Sequence, residues 1–194
     1  MAFIEKIENL DYNLFRIVNE SNSPFWDDLM WWLSDKLIWI PLYILLIVLL
    51  YFRFKQVKPF AIALLCTVAA IALADLISVH AFKEVFQRFR PTHNLQFGHL
   101  VNTVNDYRGG QFGFVSSHAA NFFAIALATG TLLKPKFNWV LPLLVIIACL
   151  VAYSRVYLGV HYPADVACGG LLGGILGFGF AKLALFIIAK TNKN

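Results

Sequence analysis

The chain has 194 residues, of which 59% are hydrophobic and 14% are charged. This composition is too apolar for a soluble domain, and it indicates an integral membrane protein built as one domain, residues 1–194. The net charge of +5 is typical of some nucleic-acid-binding proteins. We expect no nucleic-acid partner, because the positive charges follow the two sides of a membrane. The three cysteines lie unpaired in apolar runs and predict neither a disulfide nor a zinc site.

The first predicted element is an amphipathic helix in the entry segment, residues 1–30. Apolar residues recur there at helical spacing: Ile7, Leu10, Leu14, Ile17 and Val18. Such a pattern is typical of a helix that lies in the membrane interface. The start of the chain has no basic region followed by an apolar core, so we expect no cleaved signal peptide.

Five long apolar runs follow, and they predict an all-α, polytopic bundle of about five transmembrane helices. The runs cover residues 31–54, 59–82, 115–133, 137–152 and 163–189. Each is close to the ~20 residues that cross ~30 Å of hydrocarbon. In the fifth run, Gly169, Gly173 and Gly177 permit close helix packing. We expect a monomer, and a dimer through this glycine-rich span stays open.

The loop charges predict the orientation of the bundle. Segments 53–58, 134–136 and 190–193 carry Lys and Arg but no Asp or Glu, and the positive-inside rule makes them cytoplasmic. The N-terminus and segments 83–114 and 153–162 then lie outside. The small size and the absence of retention signals favour a bacterial inner membrane, with these outer segments facing the periplasm.

Three polar stretches meet at the outer end of the predicted bundle. KEVFQRFRP ends the second span, VSSH opens the third, and SRVYLGVHYPAD joins the fourth to the fifth. Two helix N-termini begin there, and their free N–H groups and positive dipole ends favour an anion. The stretches also supply Lys83, Arg90 and Arg155. Ammonium, guanidinium and backbone donors together match the oxygens of a phosphate group.

Two imidazoles, His118 and His161, project into the same cluster. Asp165 follows His161 by four residues, and across a helical turn it would orient a histidine that acts as base or nucleophile. Taken singly, these features have simpler explanations, because Ser116 is a common helix cap and arginines anchor lipid headgroups. His-x-x-x-Asp also occurs in metal sites. No carboxylate-rich third ligand set accompanies it, so we predict no metal and no cofactor.

The polar stretches contain three motifs in this order: K-x6-RP, VSSH and SR-x5-H-x3-D. In their order and spacing they resemble the three-part signature of the type 2 phosphatidic acid phosphatase superfamily. The resemblance covers residues 83–165. One motif departs from the family pattern, since the middle motif is usually Pro-Ser-Gly-His and here Val115 and Ser117 replace the proline and the glycine. The resemblance implies a metal-independent lipid phosphatase.

The family's roles carry over onto the matching positions. The resemblance implies that His161 attacks phosphorus and becomes phosphohistidine, that Asp165 holds its tautomer, and that His118 protonates the leaving oxygen. It also implies a set of groups that bind the three equatorial oxygens: Lys83, Arg90, Ser116, Arg155 and the backbone amides of Ser117 and His118. Such groups supply the charge neutralisation that metal ions supply elsewhere.

The substrate stays open among phosphatidylglycerophosphate, phosphatidate, a polyprenyl diphosphate and a lipid A phosphate. A non-enzymatic lipid-phosphate binder or transporter is the alternative function, but binding alone needs only the cations and not the two histidines. A haloperoxidase is disfavoured by the five spans. In the outer loop, Gly109, Gly110 and Gly113 are predicted to allow hinging over the site. For Asp75, in the outer half of the second span, we expect a structural hydrogen bond.

Overall fold

The chain folds as a bundle of α-helices in a computed structural model that describes residues 2–191. Within that range no strand forms, and the only sheet-like pairing is an isolated bridge between Phe89 and Phe112. The long helices are α1 (Ala2–Asn19), α2 (Pro24–Ser34), α3 (Ile40–Phe54), α4 (Val57–Phe86), α5 (Ser117–Leu133), α6 (Val140–Tyr157) and α7 (Pro163–Thr191). The predicted all-α architecture is therefore confirmed.

Between residues 2 and 191, four helices are long and apolar enough to cross a membrane. They are α3 with the 3₁₀ turn before it (Leu37–Phe54), α4, α6 and α7. The third predicted span, residues 115–133, corresponds to α5, which has 17 residues because Ser116 caps it and the helix begins at Ser117. At about 1.5 Å per residue it extends roughly 26 Å, slightly less than the hydrocarbon thickness.

The predicted start of the first span at residue 31 is wrong. Trp31 belongs to α2, which ends at Ser34, and the chain turns at Asp35 before α3. Asp35 has extended backbone angles, φ −76° and ψ 126°, and its carboxylate accepts a hydrogen bond from the Leu37 amide at 2.9 Å. An acidic residue that bonds to the backbone two residues on favours a turn over a continuous helix.

Helix α1 buries two polar residues against the bundle and leaves a stripe of apolar residues exposed. Asp11 and Asn19 are buried, together with Phe15. The stripe of Ile7, Leu10, Leu14 and Ile17 is exposed. An exposed apolar stripe on a surface helix of a membrane protein is suited to contact with lipid, as in interfacial helices.

Helices α5 and α7 are in direct backbone contact. A Cβ atom added at Gly173 would overlap the carbonyl oxygen of Ala120, and Gly169 and Gly177 meet the α5 backbone in the same way. Small residues at four-residue spacing allow this approach. The two helices therefore begin side by side, at what we call the motif end of the bundle.

Residues 87–115, which we call the roof loop, cover the motif end. The loop is held to itself by backbone hydrogen bonds from Arg90 N to the Gln111 oxygen (3.0 Å) and from Gly113 N to the Arg88 oxygen (2.8 Å). Short 3₁₀ turns at Pro91–His93 and Gly98–Leu100 shape its middle part. Hinging of this loop stays a prediction.

Candidate active site

The start of α5 is tied directly to the first turn of α7. Ser116 caps α5, with extended backbone angles and its Oγ accepting from the Ala119 amide at 3.4 Å. The Ser116 amide donates to the Asp165 carbonyl oxygen at 2.9 Å. Ser116 is fully buried. Two helix N-termini thus face one small region, as the sequence predicts.

His161 and Asp165 form a buried pair at this point. The exposed fractions of the two residues are 1% and 0%, and His161 Nδ1 lies 3.4 Å from Asp165 Oδ2. The same Oδ2 accepts from the Tyr162 amide at 3.0 Å, which fixes the carboxylate. Among the described residues His161 Nδ1 makes no hydrogen bond, and a proton on Nδ1 would face the carboxylate and leave the lone pair on Nε2.

The surroundings of His161 favour the neutral form of its imidazole. Burial, followed by the charges of Arg90, Arg155 and Lys83, holds the pKa of His161 well below its usual value of 6.5. Both causes act against the charged form, because a buried cation loses hydration and is repelled by its neighbours. A nucleophilic histidine requires this neutral form.

Three cations surround the pair, and each is held by neutral oxygen atoms. Lys83 Nζ donates to Ser117 Oγ at 2.6 Å, and Arg90 Nε donates to the Phe112 carbonyl oxygen at 3.1 Å. Burial and the charge of Arg155 lower the pKa of Arg90 to about 10, so its guanidinium is still charged at neutral pH. Because neutral acceptors do not cancel charge, the cations stay free to attract an anion.

Arg155 is almost completely buried and, like Lys83 and Arg90, is held by neutral oxygen atoms. Its Nη1 donates to Ser34 Oγ, and its Nη2 donates to the Tyr107 hydroxyl at 3.2 Å. Burial acts to raise the pKa of Tyr107, but the charge of Arg155 and its hydrogen bond outweigh burial and lower it. Among the described residues, neither Arg155 Nε nor Arg90 Nη1 has a hydrogen-bond partner. Buried donors without partners are rare, and here they lie beside His161.

Arg88 differs from these three cations because two carboxylates neutralise it. Its guanidinium donates to Asp165 Oδ1 and to Asp11 Oδ2, each at 2.7 Å, and lies 4.1 Å from the centre of the Tyr162 ring. Asp11 also accepts from the Ala164 amide at 2.8 Å, in the first turn of α7. Arg88 therefore joins α1 to the carboxylate that faces His161.

The sequence analysis missed both Arg88 and Asp11. A single arginine near a membrane surface is most simply explained as a headgroup anchor, and Asp11 lies in a segment far from the motifs. One signal was available, because Asp11 falls beside the apolar stripe of α1 rather than on its polar face. A carboxylate in that position needs a partner when the helix docks.

His118 lies on the other side of the site, where two parts of a cleft meet. A polar mouth is lined by Trp31, Asp35, Tyr107 and Arg155. An apolar groove of about 340 Å³ continues between α3, α4 and α5. His118 and Lys36 line both parts. The cleft therefore connects Arg155, at the polar mouth, with the apolar groove by way of His118.

Two glycines of the roof loop, Gly109 and Gly113, lie so close to site residues that a larger side chain would meet them. A Cβ atom added at Gly113 would lie 2.9 Å from Asp165 Oδ2 and 3.5 Å from His161 Nδ1. Gly109, with φ +67°, packs on the Arg90 guanidinium, whereas Gly110 has open space around it. The structure thus brings the roof loop against the same residues that the motifs bring together.

Asp75 makes the structural hydrogen bond that the sequence analysis expects. Its Oδ1 accepts from Asn121 Nδ2 at 3.0 Å, which joins α4 to α5. This contact lies on the side of α5 that faces the apolar groove, since Asn121 also lines it. Asp75 is therefore part of the bundle's helix packing.

Comparison with known proteins decides the family. Residues 60–188 match the sequence profile described as the PAP2 superfamily. The chain belongs to the PAP2 superfamily. It is an integral membrane lipid phosphatase, and the resemblance drawn from the three motifs is confirmed.

Two curated relatives and one solved structure show the range of PAP2 phosphatases that the chain resembles. It is 35% identical over 194 residues to a lipid A 4'-phosphatase of Bacteroides thetaiotaomicron, covering 98% of this chain and 84% of that protein. It is 32% identical over 177 residues to an undecaprenyl-diphosphatase of Sulfolobus acidocaldarius, covering 88% and 78%. The crystal structure of Aquifex aeolicus LpxE superposes with a TM-score of 0.64 at 28% identity, covering 89% of this chain and 95% of that one.

Proposed function

We propose that this PAP2 phosphatase hydrolyses a phosphate monoester of a lipid A-type glycolipid through a phosphohistidine on His161. The observation that carries the proposal is the arrangement around that ring. A buried imidazole lies among three cations that form no ion pair within the described residues, and one of them, Arg155, lines a cleft that leads past His118 into an apolar groove. The relative from Bacteroides thetaiotaomicron, matched over nearly the whole chain, supports the glycolipid class.

The polar mouth also supports a glycolipid over a simple alkyl ester. It is lined by Trp31, Asp35, Lys36 and Tyr107, which combine aromatic faces with hydrogen-bonding groups. Sites of this composition orient polar ligands through a few placed donors and acceptors. A hydroxyl-rich sugar would lie in the mouth while its acyl chains extend along the groove.

In the proposed reaction, the lone pair on His161 Nε2 attacks phosphorus while Asp165 holds the proton on Nδ1. The bond between phosphorus and the lipid oxygen breaks, and His118 gives that oxygen its proton. Water then attacks the phosphohistidine and loses a proton to His118, which releases inorganic phosphate and restores both histidines. Lys83, Arg90 and Arg155 stabilise the charge on the transferred phosphoryl group.

The backbone amides at the start of α5 complete the proposed phosphate site. Ser116 is buried as the helix cap, so the free N–H groups of Ser117 and His118 lie at the position where a helix binds anions. Within the described residues, no group of three or more His, Cys, Asp or Glu side chains is placed to hold a metal ion. We expect hydrolysis to be independent of added divalent ions, because Lys83, Arg90 and Arg155 supply the positive charge that a metal ion would otherwise supply.

We further propose that the chain acts as a single domain and a monomer in a bacterial inner membrane, with the motif end facing the periplasm. The support is the distribution of charge, because the loops at the opposite end carry Lys and Arg without acidic residues. Lipid A-type substrates with headgroups on that side would reach the cleft from the outer leaflet.

A polyprenyl diphosphate is the second candidate substrate, favoured by the relative from Sulfolobus acidocaldarius. The two classes differ in their leaving groups. A monoester expels an alkoxide, whose conjugate acid is nearly as weak an acid as water, with a pKa near ~16. A diphosphate expels a phosphate monoester, whose second pKa is roughly 6, and this group needs little protonation.

The test measures phosphate release from both lipids, at saturation, by purified wild type and by His118→Ala and His161→Ala variants. General acid catalysis contributes on the order of 10²–10⁴-fold. We expect His118→Ala to lose most of that factor on the monoester and much less on the diphosphate, while His161→Ala fails on both. Wild type quenched in alkali should carry phosphate on His161, because the P–N bond of phosphohistidine is stable in base and labile in acid. Normal turnover by His161→Ala would exclude the phosphohistidine.

A further inference from the structure

A line of hydrogen bonds links Lys83 to the first residue of α5 and continues into α4. Lys83 Nζ donates to Ser117 Oγ at 2.6 Å, and the Ser117 and Ser78 hydroxyls are 2.6 Å apart. Ser78 Oγ donates to the Asp75 carbonyl oxygen at 2.8 Å. Ser78 is fully buried. We call these four groups the serine relay.

The protons of the serine relay have one consistent arrangement. An ammonium group only donates, and each serine hydroxyl has one proton to give. Because Ser78 gives its proton to the Asp75 carbonyl, the proton between the two serines comes from Ser117. Ser117 therefore accepts from Lys83 and donates to Ser78. Its hydroxyl is fully used within the protein, with a lone pair facing the ammonium group.

The shape of α4 directs Lys83 to this place. Lys83 is the last residue of a π-helical stretch, Ile77–Lys83. The wider turns change the direction in which its side chain leaves the helix, and such turns recur at functional sites. No carboxylate lies within ion-pair distance of Lys83 among the described residues. The relay thus holds the ammonium group in place without cancelling its charge.

We propose that Ser117, supported by Ser78, is a positioning residue that fixes Lys83 for phosphate binding. The proposal rests on the proposed function, because it places the phosphate at the start of α5. A long lysine side chain loses about 1.5–2 kcal/mol of rotamer freedom when it is fixed. Since the relay fixes it beforehand, phosphate binding becomes tighter. The usual family motif has glycine at this position, and glycine offers no hydroxyl to accept from the lysine.

The test compares the affinity of purified variants for inorganic phosphate by isothermal titration calorimetry. We expect Ser117→Ala and Ser117→Gly to bind phosphate about tenfold more weakly, the effect of one hydrogen bond to a charged group. Ser117→Thr keeps the hydroxyl and should bind like wild type. Thr129→Val is the matched control, because it removes another α5 hydroxyl that bonds only to the Ile125 carbonyl oxygen. It should leave phosphate affinity unchanged.

A double-mutant cycle with Lys83→Met separates positioning from a general structural effect. If Ser117 acts through Lys83, Ser117→Ala has no further effect on phosphate affinity in the Lys83→Met background. For lipid hydrolysis, Ser117→Ala should raise KM about tenfold with little change in kcat.

Wild-type affinity in Ser117→Ala, or the same loss with and without Lys83, would overturn the proposal. Phosphate binding is measured without turnover. Suppose that phosphate affinity depends on Ser117 and Lys83 as expected, but the protein hydrolyses none of the lipids. That result would refute the proposed function and leave the positioning role of Ser117 supported.

Discussion

Gly113→Ala tests whether the roof loop sets the geometry of the His161–Asp165 pair. The backbone at Gly113 does not lie in the left-handed region, so alanine adds only its methyl group. That Cβ would lie 2.9 Å from Asp165 Oδ2, 3.1 Å from Arg90 Cγ and 3.5 Å from His161 Nδ1. The first two contacts are shorter than the 3.4 Å at which ordinary van der Waals contact begins. Either the loop or the carboxylate must therefore move.

The required movement is about 0.5 Å, which is the tolerance within which catalytic groups must be held. A displacement of about 1 Å costs roughly 10²-fold in rate, so we expect kcat to fall by about tenfold. Overpacking at a buried position costs about 1–3 kcal/mol of unfolding free energy. At most growth temperatures that loss leaves the protein folded, so the effect on kcat can be measured separately.

The assay is phosphate release at saturating lipid, together with the melting temperature of each variant. Gly110→Ala is the matched control, because it adds the same methyl group to the same loop where nothing lies within 4 Å. We expect it to keep the wild-type kcat. A wild-type kcat in Gly113→Ala, or an equal loss in both variants, would refute the argument from this contact.

Three further predictions follow from the fold and its charges. In intact cells, an impermeant thiol reagent should label cysteine introduced at Gly110 and not at Lys136; the reverse pattern would contradict the proposed orientation. Asp11→Asn should lower the melting temperature by the equivalent of about 1–3 kcal/mol, because it removes one of the two carboxylates that pair with the partly buried Arg88 guanidinium. Since the pKa of His161 is depressed, the unfolded state binds more protons below about pH 6.5. As the pH falls below that value, the melting temperature of wild type should therefore decrease more than that of His161→Gln. Parallel curves of melting temperature against pH for the two proteins would contradict the depressed pKa.

The sequence predicted the elements that depend on local pattern. Apolar runs located the helices, and the His161–Asp165 spacing predicted the pair, although His161 lies two residues before Pro163, where α7 begins. The cap at Ser116 followed from residue type alone. These features are fixed by neighbours within a few residues, which a single sequence displays directly.

Contacts between distant segments could not be predicted in this way. Arg88 meets Asp11 across 77 positions of sequence, and Arg155 meets Ser34 across 121. No local pattern specifies either partner. The hydrogen bonds that hold the cations were therefore found only in the structure. The same is true of the proposed role of Ser117, because the lysine that donates to its hydroxyl comes from a π-helical stretch in another helix.

The backbone contact between α5 and α7 sets which parts of this enzyme can be exchanged in protein engineering. The Ser116 cap, His118, His161 and the Asp165 carboxylate all lie at the starts of these two helices or beside them. A methyl group at Gly173 would wedge the helices apart along their length. Chimeras that aim to change lipid preference should therefore transplant α5 and α7 only as a matched pair. The walls of the mouth and groove contributed by α2, α3 and α4 are the segments open to redesign.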